Sequence, residues 1–357
     1  VMGPDGESDI PTPGAIANWV ESMADKGLRV LAFAQKEMPP DTTRITHADL
    51  EEGILFIGLQ GMIDAPRPEA IEAVAACQEA GIRVKMITGD HAGTAGAIAR
   101  KIGLCGESCS YHTREVLSGH DIGELDEVQL AETADKTAVF ARVSPEQKLR
   151  LVEALQRKDY VVAMTGDGVN DAPALRQADI GVAMGLAGTE VSKESADMIL
   201  TDDNFATIKA AVEEGRGVFD NLIKFITWTL PTNGGEGLVI LAAILLGTRL
   251  PILPLQILWI NMTTALLLGL MLAFEPREAG IMLRPPRDPS MPILTAPLLI
   301  RIAMVSILLV IGAFGLFQLE LILTGDNEAL ARTMAVNVFV FGEMFYLFNC
   351  RSMTHPV

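Results

Sequence analysis

An α/β domain with a doubly wound parallel sheet, followed by an α-helical bundle of four membrane-crossing spans, is the architecture this sequence predicts. Three observations lead there. Through the first 220 residues, short apolar runs ending in glycines and carboxylates alternate with helix-patterned segments. Beyond residue 221, the stretches 222–246, 253–274, 298–323 and 331–350 are each apolar over the roughly 20 residues a bilayer crossing needs. The chain has 357 residues, is 49% apolar and has a positive mean hydropathy. It is therefore too long for one ordinary domain and too apolar to be soluble throughout.

The formal charge of −17 sits mainly in the first 220 residues. It argues against nucleic acid as a partner, because phosphate-backbone binding needs a basic face. Cys77, Cys105, Cys109 and Cys350 form no C-x-x-C pair and read as free thiols in a reducing cytoplasm. No signal peptide is recognisable, and the Gly/Pro-rich opening stretch reads as the interior of a longer protein.

After a loop over residues 1–13, Ala15 to Lys26 has helical spacing and stops at Gly27, and Leu28 to Ala34 alternates as a strand. A second strand covers Ile54 to Leu59. Glu69 to Ala80 is a helix closed by Gly81. Ile82 to Ile87 is a strand whose tip is Thr88-Gly89-Asp90, followed by a small-residue helix from Ala92 to Ile102. Residues 104–135 have few apolar anchors and many acids, which suggests helices and loops on the domain surface. Phe140 to Val143 is a strand leading into a helix with Ser144 as N-cap and Pro145 at its first position, so that Lys148 projects from the first turn. Tyr160 to Ala163 leads into Met164-Thr165-Gly166-Asp167-Gly168-Val169-Asn170-Asp171. Strands at 180–184 and 196–200 and an Ala/Glu-rich helix complete the soluble part.

The eight-residue loop is the most specific feature. A short strand ending in glycines and carboxylates and turning into a helix presents a phosphate and metal site at the carboxyl edge of an open α/β sheet. Asp167 and Asp171, with glycines that let the backbone approach, suit a Mg²⁺ that keeps its waters and touches a phosphoryl group. The Thr88-Gly89-Asp90 tip, placed in the same parallel sheet, would converge on that phosphate, and Lys148 would neutralise charge on it.

The loop resembles the hinge motif of P-type ATPases, cation pumps that pass through an aspartyl-phosphate. Phe140 to Lys148 matches the family closely as well. Lys26 to Ala32 is similar to the close of the nucleotide-binding domain in these pumps. Gly61 to Pro68 is similar to the stretch where the chain re-enters the phosphorylation domain, with Ala65 in place of a proline. The resemblance implies a haloacid-dehalogenase-like (Rossmannoid) domain. It makes residues 1–55 the end of a nucleotide-binding domain, 56–220 the carboxyl-terminal part of the phosphorylation domain, and 221–357 the cation-binding membrane region. It implies that Asp167 holds Mg²⁺, with Asn170 and Asp171 shaping the site. Thr88, Gly89 and Lys148 would hold the phosphoryl group, and Arg29, Asp90 and Arg142 would assist ATP, with Asn170 also near the nucleotide. The phosphorylated Asp-Lys-Thr-Gly-Thr string is absent. Asp135-Lys136-Thr137 mimics its start, but Ala138 follows and no strand precedes it, so the nucleophile is expected outside this chain.

In the first membrane stretch Pro231 removes a helix hydrogen bond to the Thr227 carbonyl, and Gly234-Gly235 loosens the next turn. Asn233 and Glu236 sit beside the break, one turn apart. A carboxylate at that depth costs about 3 kcal/mol on insertion scales and needs a cation, a proton or a partner. The second stretch offers Asn261 and Thr264, the fourth Glu343, and oxygen ligands from several helices suit a hard cation. Interhelical hydrogen bonding competes evenly for Thr264 and poorly for the two acids. The loop from Glu275 to Pro292 carries Arg277, Arg284 and Arg287, whereas 324–330 carries Asp326 and Glu328, so the arginine side is cytoplasmic.

In type II pumps, calcium pumps among them, cation ligands stand at the positions of Asn233, Glu236, Asn261, Thr264 and Glu343. Ala265 departs from the aspartate found there. The resemblance implies a multi-pass protein of a bacterial inner membrane with ATP and a cation, Ca²⁺ first, as substrates. Its partners would be the remainder of the pump: actuator domain, first four membrane helices and phosphorylated aspartate. A path of coupling would run from the Asp167 loop through the helix around Arg216 to Lys224. A monovalent-cation pump is the alternative ion reading. A membrane-anchored phosphatase of the same fold and a non-catalytic membrane protein are the rivals from other classes.

Overall fold

The computed structural model of the chain describes residues 12–24, 26–40, 42, 44–47, 53–62, 65–106, 115–325 and 327–352. It divides into two compact units, Val1–Lys209 and Ala210–Val357. Ile63 and Asp64 of the re-entry stretch, Cys109 and Asp326 lie outside the described residues.

In the first unit, helix α1 (Pro13–Ala24) is followed by strands β1 (Arg29–Gln35) and β2 (Leu55–Met62), which pair antiparallel. The α/β part then runs α2 (Pro68–Glu79), β3 (Met86–Thr88), α3 (Ala92–Lys101), β4 (Val116–Ser118), α4 (Gly119–Glu124), α5 (Glu127–Lys136), β5 (Val139–Ala141) and α6 (Pro145–Gln156). It ends with β6 (Ala163–Gly166), α7 (Ala172–Gln177), β7 (Ile180–Met184), α8 (Glu190–Ser195) and β8 (Met198–Leu200). All the strand pairs of this part are parallel, in the orders β3-β5-β4 and β6-β7-β8.

Three expectations are corrected. The Thr88 and Asp167 tips do not share one ladder, because β3 and β6 are each the outer strand of a separate three-stranded sheet. Packing joins the sheets instead: Ile87 of β3 lies against the core of Leu117, Ile122, Leu130 and Phe140 and also against that of Val152, Met164 and Leu175. Residues 104–135 are not a surface appendage, since they supply β4 and the fully buried Val116, Ile122 and Leu130. Their acids obscured this because they serve as caps: Asp121 and Asp126 complete capping boxes at the starts of α4 and α5. Cys105 is disulfide-bonded rather than a free thiol, while Cys77 and Cys350 are buried and outside any disulfide. The missing C-x-x-C spacing did not exclude pairing.

Strand β3 is shorter than the apolar run suggests. Lys85, just before it, donates from its side-chain Nζ to the Asp135 and Thr137 carbonyls at 2.9 and 2.7 Å. Asp135 itself stands at the end of helix α5, where Arg83 and the Tyr160 hydroxyl hold its side chain.

In the second unit, the helix α9 (Phe205–Leu245) contains the first predicted span. The second comprises α10 (Pro254–Ile260), a π-helical turn over Asn261–Ala265, and α11 (Leu266–Ala273). The others are α12 (Ala296–Thr324) and α13 (Glu328–Cys350). Among the described residues, 254–273, 296–324 and 328–350 are long and apolar enough to cross a membrane. The 222–246 stretch falls short in apolarity because Thr232, Asn233, Gly234, Gly235 and Glu236 dilute its middle. The bundle core is Trp228, Val239, Ile260, Phe317 and Phe339, and large apolar side chains such as Leu245, Ile300 and Phe345 face outward, as lipid contact requires. Gly235 and Gly342 let helices approach closely: an added Cβ would meet Leu309 and Phe339 at 3.2 Å from the first, and Leu309 at 2.5 Å from the second.

Candidate functional site

In the first unit the loop tips are drawn together by a series of bonds. Val143 N donates to the Thr88 carbonyl (3.3 Å) and Arg142 N to the Asp90 carbonyl (3.1 Å), with Arg142 at a φ of 51° to make the turn. This places the start of α6 beside the Thr88-Gly89-Asp90 tip. Ser144 caps α6 reciprocally with Gln147. One turn in, Lys148 Nζ reaches Asp171 Oδ1 at 2.5 Å. The other oxygen of Asp171 accepts from the Asp167 and Gly168 amides at 3.3 and 3.2 Å. Gly166 is required here, since a Cβ on it would stand 2.5 Å from that of Asp171. Burial works against the charge of Asp171, but the bonds from Lys148 and the two amides outweigh it and hold the carboxyl below its ordinary value.

Asp167 is exposed and its carboxylate takes part in no hydrogen bond or ion pair among the described residues. Its carbonyl accepts from Thr189 N at 2.8 Å and Ser192 Oγ at 3.0 Å. An anchored backbone with an uncommitted carboxylate fits a Mg²⁺ that takes few protein oxygens and keeps its waters. Thr189 and Ser192 were not legible in advance; the only signal is the N-cap pattern of α8. Thr88 Oγ1 donates to Asp90 Oδ2 and accepts from Asp90 N, both at 3.1 Å, closing the second tip on itself. Asn170 is exposed in the turn after Gly168. Arg29 is exposed on β1, and no described bond ties it to these loops. Another carboxylate missed from sequence is Asp203 (φ 49°), which accepts from the amides of Gly185, Leu186 and Ala187 at 2.7 to 3.0 Å. Those bonds, the Leu186 amide foremost, hold its carboxyl below the ordinary value.

In the second unit, Glu236 is 3% exposed and Glu343 fully buried. Asn261 Nδ2 donates to Glu236 Oε2 at 2.8 Å and to the Ile257 carbonyl at 3.1 Å. Glu236 Oε1 and both carboxylate oxygens of Glu343 are buried without a hydrogen-bond partner among the described residues. Thr264 donates to the Ile260 carbonyl at 2.8 Å. The π turn containing Asn261 and Thr264 had no sequence signal; such turns recur at functional sites. Asn233, expected on the face of Glu236, is exposed, and no described bond joins it to the set. Its three-residue offset is about 60° short of a full turn. The Thr227 carbonyl freed by Pro231 accepts from the Tyr346 hydroxyl at 3.2 Å, and Ser306 Oγ donates to the Pro231 carbonyl at 2.9 Å. The Trp228 indole donates to the Glu343 carbonyl at 3.0 Å. Arg216 and Lys224, expected on a coupling path, fasten the loop after α11: Arg216 donates to the Ile281 and Arg284 carbonyls, and Lys224 pairs with Glu278 at 3.4 Å.

Residues 10–179 match the family model for haloacid dehalogenase-like hydrolases, and 249–357 match that for the C-terminus of cation transporting ATPases. The chain belongs to the P-type cation-transporting ATPases. Over 99% of its length it is 59% identical to a protein of Mycobacterium tuberculosis named "Probable cation-transporting ATPase F". It is 53% identical over 97% to the "Cation-transporting ATPase pma1" of Synechocystis, and 41% identical over 93% to the "Calcium-transporting ATPase" of Bacillus subtilis. This P-type ATPase chain spans 37–39% of the length of those relatives.

Proposed function

We propose that the chain carries the phosphoryl-binding and cation-binding parts of an ATP-driven pump that works through an aspartyl-phosphate, with Ca²⁺ as the transported ion. The observation that carries this reading is the pair of buried membrane-depth carboxylates, Glu236 and Glu343, three of whose four oxygens lack a hydrogen-bond partner among the described residues. An apolar bundle serving only as an anchor gains nothing from such groups, and each costs several kcal/mol unless compensated. A cation coordinated between them and the Asn261 carbonyl would satisfy them. The Ca²⁺ assignment takes support from the Bacillus relative's name and from the all-oxygen donor set.

At the other site Lys148, fixed by Asp171, would present a positive charge to the transferring phosphoryl oxygens, and Thr88 and the Gly89 amide would hydrogen-bond them. Asp167 and Asn170 would hold Mg²⁺ and its waters; when bound, the ion offsets charge on the phosphoryl oxygens. Arg142, Asp90 and Arg29 would face the nucleotide. Thr264 and Asn233 complete the proposed cation set, Asn233 after a rotation of its helix turn. The arginine-rich loop would lie on the cytoplasmic side of a bacterial inner membrane, with the remaining domains of a full-length pump supplying the phosphorylated aspartate.

ATP hydrolysis by the full-length protein, screened against Ca²⁺, Mn²⁺, Na⁺, K⁺ and pH, tests this. Ca²⁺-stimulated turnover is the expected result. Stimulation by Na⁺ or K⁺ alone would move the assignment to a monovalent ion, and hydrolysis indifferent to every cation would leave the anchored phosphatase.

A further inference from the structure

The second unit contains a cavity of about 320 Å³ that differs in character from the carboxylate site. Phe219 and Ile223 of α9, Met291 of the preceding loop and Leu298 of α12 form apolar walls, and Arg287 and Arg301 supply two cations. None of the lining residues is acidic, in a chain whose net charge is −17. The acids nearest in sequence have other partners, although the Arg287 charge also acts on Asp288. Asp220 pairs with Arg284 at 2.5 Å, and Asp288 accepts from the Ser290 amide and hydroxyl at 2.9 and 2.6 Å.

Both guanidinium groups are held by their faces. Arg287 lies 5.2 Å over the Phe219 ring, and Arg301 lies 5.3 Å over the Tyr346 ring while one of its nitrogens donates to the Asn349 carbonyl at 3.0 Å and to Cys350 Sγ at 3.7 Å. Stacking occupies the plane of a guanidinium and leaves edge N–H groups for an oxyanion, a bidentate edge at Arg287 and single N–H groups at Arg301. Arg301 stands five residues after Ala296, about 7.5 Å along the helix axis from the start of α12. With the start of α12 at the bilayer surface, that depth is where phospholipid headgroups meet acyl chains. Met291 and Ile293, 51% and 42% exposed, offer apolar surface at the same level.

We propose that this cavity binds an anionic glycerophospholipid, its phosphate between Arg287 and Arg301 and an acyl chain along Ile223 and Leu298. The proposal rests on the reading that these helices lie in a bilayer. A free phosphate would use the arginines but gain nothing from the apolar walls, so the lipid is the better fit to the whole cavity.

The test reconstitutes the full-length protein in phosphatidylcholine nanodiscs carrying phosphatidylglycerol, then counts retained lipids by native mass spectrometry after mild detergent release. Retention should favour phosphatidylglycerol by on the order of 5-fold for each arginine. Arg287→Gln should remove one such factor. Thr295→Glu, which adds a carboxylate at the cavity, should abolish the preference. The Thr295 side chain caps nothing, and an acid before a helix is favourable, so this variant keeps the fold. Equal retention of the two lipids, or an unchanged preference in both variants, would overturn the proposal. Displacement of phosphatidylglycerol by millimolar inorganic phosphate would overturn the lipid assignment. A protein that stayed out of the nanodisc would overturn the bilayer reading and this proposal with it.

Discussion

Asp171 is the residue whose replacement the structure prices most closely. Its side chain is 8% exposed and that of its partner Lys148 19%, so the pair lies between a surface ion pair, about 0–1 kcal/mol, and a buried one, whose breaking costs about 3–5 kcal/mol. Asp171→Asn keeps the shape, leaves Lys148 without its counter-charge and weakens the bonds from the Asp167 and Gly168 amides. The expected loss is about 3 kcal/mol. Lys148→Met should lose about 2 kcal/mol, and the double variant little more than Asp171→Asn alone. That non-additivity corresponds to a coupling of about 2 kcal/mol, or roughly 30-fold in local opening. Hydrogen exchange read by mass spectrometry over 163–177 in the full-length protein measures it. Because the folded carboxyl titrates below its unfolded value, the stabilisation is present above the ordinary Asp range and is lost as pH falls through the lowered value. Additive single losses, or a coupling below about 0.5 kcal/mol, would refute the claim that Lys148 organises this loop through Asp171.

Three further predictions concern the fold and the membrane site. Tyr346→Phe should destabilise the bundle by about 1 kcal/mol in detergent melts, but have almost no effect in a Pro231→Ala background, where a restored helix bond serves the Thr227 carbonyl; equal losses in both backgrounds contradict the pairing. Burial, opposed by Asp135, lowers Lys85 from 10.5 to about 8, so the unfolded chain binds the extra proton between those values and stability should rise with pH across that window. Lys85→Met should flatten the rise in pH-dependent hydrogen exchange of β3, and an unchanged slope would place the effect elsewhere. Glu343→Gln should lower apparent cation affinity in ATPase assays at least about 10-fold while leaving nucleotide affinity unaltered; a shift in nucleotide affinity alone would remove Glu343 from the cation site.

What the sequence made legible follows from the range of the interactions involved. Caps and turns are local, so Ser144, Pro145 and the Gly166–Gly168 loop were readable from a few neighbouring residues. Three of the four spans were readable because an apolar run of bilayer length has few other uses, whereas 222–246 falls short of that apolarity. Pairings between distant segments were not readable. Nothing near Pro231 indicates that Tyr346, more than a hundred positions on, supplies the missing donor, nor does residue 171 announce Lys148 as its partner. The acid-rich segment misled because Asp121 and Asp126 cap helices, leaving Val116, Ile122 and Leu130 to build core from few residues. The Asn261–Ala265 π turn depends on packing rather than propensity, so its residues were identified while its geometry was not.

The central claim is that Glu236 and Glu343 hold the transported ion. Ala265, 9% exposed, brings no carboxylate to the bundle, so the proposed site draws two carboxylates from this chain, enough to balance a single divalent cation. The most direct measurement counts bound ⁴⁵Ca per phosphorylation site in the full-length protein, with Glu236→Gln alongside. One calcium per site, lost in the variant, is the expected result. Two calcium ions per site, or one that Glu236→Gln leaves unchanged, would contradict it.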